Sequence, residues 1–280
     1  MPSVTEAVEA LVRATADLPD EEMDRPWTWD AYDEEGLRFA LLLAQHELRD
    51  LAVRMSALRR APATQAELIL TQYHAAYRDL TGALAGTQDE DLDRAPAAEE
   101  WPVREVLRHM LGAEYGFLGV VQYARSPERP ADAARAEAGL SGFRERHGYR
   151  GPAELPGGIA EVRTALFEVH RRVLRELAGL TDDELEWPAF FWDGERPIRF
   201  RLHRFAAHLV QHTVQVDKTL VAIGDAPTEA QRLVRILYRE LAPVEMLAAG
   251  GVGEAERRAV AATLWDRAGE IEALVNVVPH

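Results

Sequence analysis

Apolar residues recur at intervals of three and four along most of this chain, and the β-branched alternation that marks strands is scarce. The pattern predicts helices over 4–17, 35–59, 64–85, 102–125, 158–179, 197–223, 228–248 and 254–275. Pro- and Gly-bearing breaks separate them, at Ala61 and Pro62, at Gly151 through Gly158, and at Gly250 and Gly251. The expected class is therefore all-α. The longest connection, about 126–157, is charged and carries Tyr149 and several arginines. Its length suits a functional lid or a solvated crossover equally.

Helix faces locate the candidate chemistry. In helix 197–223 the apolar stripe runs Leu202, Phe205, Leu209, Val216 and Leu220, with His212 inside it and His208 on its shoulder beside Gln215. Residues four apart on a helix point the same way, so both imidazoles can grip one ion. Two histidines facing a core need partners for their nitrogens. A metal ion would satisfy both, as would hydrogen bonds to a neighbouring helix. In helix 102–125 the apolar centre is Val103, Val106, Leu107, Met110 and Phe117; His109 lies at its edge and Glu114 nearer its middle. For Glu114 four roles are open: metal ligand, acceptor that orients a ligand histidine, general base on metal-held water, or ion-pair partner of an arginine from another helix.

The chain also repeats itself. Three helices run into nearly the same acidic turn: 18–24 (LPDEEMD), 87–93 (TQDEDLD) and 180–186 (LTDDELE). Residues 27–30 (WTWD) parallel 190–193 (FFWD), and aligning 35–59 with 197–221 sets His46 against His208 and Asp50 against His212. Residues 1–60 thus read as an altered copy of 158–223. The domain expectation is one bundle over 63–225. Residues 1–60 and 226–280 would either brace it or pack together as a discontinuous, degenerate second bundle.

Composition removes several classes. Net charge is −15, from 47 acidic and 32 basic residues, which disfavours nucleic acid and anionic membrane as partners. Cysteine is absent, so disulfides, zinc–thiolate centres and a cysteine nucleophile are excluded. Any metal must be held by His and carboxylates, and any thiol must arrive as a cosubstrate. No apolar run approaches 18 residues and the first 24 are acidic and mixed, so the cytoplasm is the expected location.

The segment 101–114 (WPVREVLRHMLGAE) resembles the second-helix signature of the DinB/YfiT-like superfamily, in which a Trp enters the helix, a metal histidine follows, and a Glu often stands five residues later. The run 208–215 (HLVQHTVQ) resembles that family's last-helix motif, and 80–101 (LTGALAGTQDEDLDRAPAAEEW) its first-helix exit and turn. The resemblance spans about 63–225. It implies a DinB-like four-helix bundle with a long crossover and one divalent ion, zinc or nickel, held by His109, His208 and His212, with Gln215 helping to hold the site. It further implies S-transfer from a low-molecular-weight thiol to a small-molecule electrophile. The alternatives are hydrolysis by metal-bound water with Glu114 as base, or metal or ligand binding without catalysis. Bundles of this type often form homodimers. Arg199, Arg201 or arginines of 126–157 are candidates to bind substrate carboxylates. His74, His147, His170, His203 and His280 have no role in this reading.

Overall fold

A computed structural model describes residues 2–28, 32–192 and 194–275. Trp29, Asp30 and Asp193, part of the aromatic repeat, and His280 lie outside the described residues. The helices are α1 (Val4–Thr15), α2 (Leu37–Leu58), α3 (Gln65–Ala83), α4 (Val103–Arg125), α5 (Ala133–Arg146), α6 (Ile159–Leu177), α7 (Ile198–Ala222), α8 (Glu229–Ala249) and α9 (Glu254–Val275). The protein is an all-α assembly of helices with a DinB-like core and extra terminal helices. Among the described residues no helix is long and apolar enough to cross a membrane.

Two features depart from the sequence reading. The connection over 126–157 contains helix α5, started by Asp132, whose side chain accepts from the Arg135 amide. A short antiparallel hairpin, β1 (Pro188–Phe191) and β2 (Gly194–Pro197), leads into α7. Helix α5 buries little beyond Ala136 and Phe143, so its own pattern is too polar to announce it. It docks because α4 is cut away beneath it: a Cβ on Gly119 would stand 2.7 Å from the Tyr149 Cβ and 2.9 Å from the Arg144 Cγ.

The chain divides into two compact units. One comprises Ala63–Tyr77 and Gln88–Asp225; its core takes Val103, Val106, Leu107 and Met110 from α4, Val162, Leu166, Val169 and Val173 from α6, and Leu202, Phe205, Leu209 and Val216 from α7. The other comprises Met1–Pro62, Arg78–Thr87 and Ala226–His280. There α1 packs along α9 and α2 along α8, around Leu11, Leu41, Leu48, Leu237, Leu241 and Leu264.

The three acidic turns share one structural job. In each, the aspartate at the third position caps a helix elsewhere in its own unit. Asp20 accepts from the amides of Glu229 and Ala230 at the start of α8, at 3.3 and 2.7 Å. Asp89 accepts from Ile159 at the start of α6, at 2.7 Å. Asp182 accepts from Gln65 and Ala66 at the start of α3, at 3.2 and 3.1 Å. A carboxylate here satisfies amides that no helical turn can reach and complements the helix dipole. These amide bonds hold the Asp20 and Asp182 carboxyls below the usual range. Gly158 precedes α6, where a Cβ would sit 2.4 Å from the Asp89 Oδ1.

Candidate metal centre

Helices α4 and α7 pack together, and their contact brings His109 from the first against His208 and His212 from the second. The His109 and His208 Nε2 atoms lie 3.2 Å apart. One ligand atom from each of the three rings lies within 4.8 Å of the other two. The His212 Nδ1 lies 2.8 Å from the Gln215 Oε1. A carbonyl oxygen only accepts, so this bond places the proton on Nδ1 and leaves the Nε2 lone pair free. His208 and His212 are buried and His109 is half-buried.

Burial, reinforced by His212, His109 and Arg204, pushes His208 down to about 3. Burial lowers His109 too, with help from His212 and Arg108. Both rings are therefore neutral near neutral pH, the state in which an imidazole can donate to a metal. Two ligand nitrogens on a tetrahedral zinc stand about 3.3 Å apart, close to the separation His109 and His208 already have. The His208 Nδ1 is buried and no protein group among the described residues bonds to it. The donor set fits a divalent ion. Around the rings, Trp101 packs on His109 at 5.4 Å and Phe117 on His208 at 5.5 Å. Trp101 and Gln215 also line a cavity of about 370 Å³ with Glu99, Glu100, Lys218 and Thr219.

Glu114 is buried on α4 and is not part of the three-histidine group. Its Oε1 accepts a short hydrogen bond from the Tyr73 hydroxyl, and no arginine among the described residues pairs with it. Burial raises its carboxyl to about 8 in spite of that bond, and lifts the Tyr73 phenol well above its ordinary value.

Some residues assigned no role come together. His74 on α3 and His170 on α6 are buried with Nδ1 and Nε2 2.8 Å apart, and the Tyr77 ring stacks on His170 at 3.8 Å. The Tyr73 ring lies 4.7 Å from His170. The available signal is His170 on the stripe of Val162, Leu166, Val169 and Val173; its partner His74 is distant in sequence. His147 is exposed and paired with Glu128, and His203 is exposed. Arg199 is bound to Glu186 and Gln65, whereas Arg201 is buried. In the other unit His46 and Asp50 lie on the exposed face of α2, with Asp50 paired to Arg54. Among the described residues no second metal-ligand cluster occurs.

No curated protein and no solved structure matches the chain. The family model described as DinB superfamily matches residues 72–216, just over half of the chain, and its span contains all three histidines and Gln215. On that match, the chain is a member of the DinB superfamily.

Proposed function

We propose that this protein is a divalent-metal-dependent enzyme that activates a low-molecular-weight thiol for transfer to a small electrophile. The observation that supports this best is the convergence of three imidazoles, two of them held neutral by burial and the third fixed in tautomer by Gln215. His109, His208 and His212 would hold zinc or nickel, leaving a coordination position open. A divalent ion so held supplies the positive charge that lets a thiol or water lose its proton near neutral pH.

The chain's own residues do the rest. Gln215 orients His212, Trp101 and Phe117 pack against the His109 and His208 rings, and the cavity beside Trp101 gives a small molecule room. The chain has no cysteine, so the thiol is a cosubstrate. Hydrolysis is the second reading, favoured by Glu114: a carboxyl raised to about 8 can take up and return a proton, with Tyr73 holding its Oε1 in place. In either reading residues 1–60 would be an altered copy of 158–223, with no metal-ligand cluster among the described residues there.

Metal analysis of protein purified without a histidine tag tests the centre. One equivalent of zinc or nickel, lost in the His208→Ala, His212→Ala double variant, is expected; a folded, metal-free wild type would overturn it. Incubating metal-loaded protein with monochlorobimane and a panel of biological thiols tests the transfer. If no thiol accelerates conjugation, hydrolysis takes precedence.

A further inference from the structure

Most buried or half-buried arginines in this acidic chain have a carboxylate partner, as Arg78 has in Glu245 and Arg125 in Glu184. Among the described residues no carboxylate pairs with Arg144, Arg201 or Arg204. Arg201 is 6% exposed. Its Nη2 donates to the Phe190 carbonyl, and its guanidinium lies 5.0 Å from the rings of both Phe117 and Phe191. A buried guanidinium served by one neutral acceptor and two ring faces has no formal counter-charge beside it. Burial, then Arg204 and then Arg144, pull Arg201 down to about 10. Like charges are thus gathered here and left without a counter-ion.

Their placement relates them to the metal centre. Arg201, Arg204, His208 and His212 follow one another on α7 at spacings of three, four and four, which is a single stripe along the helix. At the helical rise, Arg204 stands about 6 Å and Arg201 about 10 Å along the axis from His208. Phe117 touches both Arg201 and His208, at 5.0 and 5.5 Å. Arg144 arrives from α5, its guanidinium against Gly116 of α4, where a Cβ would stand 3.0 Å from Nη2.

We infer that Arg201, Arg204 and Arg144 form an oxyanion subsite for a small substrate or cosubstrate whose carboxylate or phosphate lies one to two helical turns from its reacting atom. Planar guanidinium forks match either group bidentately, and the anion supplies the charge the protein omits. This inference rests on the three histidines being the reaction centre.

The test uses the full chain, loaded with cobalt, titrated with malonate and separately with inorganic phosphate at constant ionic strength. Thermal unfolding reports anion binding and the cobalt absorption reports the histidine centre. Saturable stabilisation by at least one anion is expected, weakened tenfold or more in both Arg201→Met and Arg204→Met, with the cobalt spectrum unchanged. The tighter of the two anions identifies the oxyanion class. Arg204 is half-exposed, so its variant keeps the test valid if Arg201→Met fails to fold. The apo variants are expected to unfold no earlier than wild type, because the removed charge had no counter-ion; a purely structural Arg201 would show the reverse. No saturable response, equal binding in wild type and Arg204→Met, or binding that reshapes the cobalt spectrum overturns the subsite. Failure of the protein to bind cobalt overturns the metal centre instead, and the anion titration remains readable on the apo protein.

Discussion

The Nδ1 of His212 donates to the Oε1 of Gln215, one helical turn further along α7, across 2.8 Å. The bond settles which nitrogen of His212 carries the proton and so aims its lone pair at His109 and His208. Removing a partner of this kind costs roughly 10–100-fold in metal affinity. Gln215→Leu is expected to weaken zinc binding by that factor in competition with a chelator, with little change in thermal stability of the apo protein. Gln215→Glu, which also accepts, is expected to retain affinity.

Glu114 makes stability depend on pH. Its carboxyl ionises at 4.5 when unperturbed and near 8 in the fold. Between those values the unfolded chain releases a proton that the native state keeps. Stability present below 4.5 is therefore lost as pH rises to about 8. Glu114→Gln removes this loss and is expected to be the more stable protein at pH 8 by on the order of 4 kcal/mol. Urea unfolding at pH 4.5 and pH 8 checks it; equal gaps at both would show that Glu114 ionises normally.

Gly112 and Gly119 share α4 but not its surroundings. A Cβ at Gly112 meets nothing within 4 Å, whereas one at Gly119 collides with Tyr149 and Arg144. Gly112→Ala is expected to stabilise by about 0.5–1 kcal/mol through helix propensity. Gly119→Ala is expected to cost about 1–3 kcal/mol by forcing α5 and Tyr149 away. Opposite signs in denaturant unfolding, with a more protease-sensitive 133–146 segment only in the second variant, are the outcome to look for.

The aspartate caps predict local effects. Asp89→Ala leaves the Ile159 amide without its partner and is expected to cost about 1 kcal/mol, with faster hydrogen exchange at the first turn of α6. Asp20→Ala is expected to do the same at Ala230, at the first turn of α8. Uniform exchange changes across both helices would count against a capping role.

Much was legible from single helices. The stripe of Leu202, Phe205, Leu209 and Val216 placed His208 and His212 inward, and both are buried. The centring of Val103, Val106, Leu107 and Met110 set Glu114 inside and His109 at the margin, as the structure has them. A helix face is a local property, because 3.6 residues per turn fixes which side chains share a side. The alignment of His46 with His208 does not extend to orientation: His46 is exposed.

The chain alone therefore determined an all-α protein, the inward faces of α4 and α7, the three recurring acidic turns, and the exclusion of cysteine chemistry. Tertiary structure decided what those parts meet. It joined His74 to His170, seated α5 on the glycines of α4, turned the third-position aspartates into caps, and gathered Arg144, Arg201 and Arg204 without a counter-charge. The three histidines belong to both accounts. Spacing supplied two of them, and only the packing of α4 against α7 brought the His109 and His208 Nε2 atoms to 3.2 Å. Periodicity tells which way a side chain faces, and the distance to its partner comes from how two helices pack.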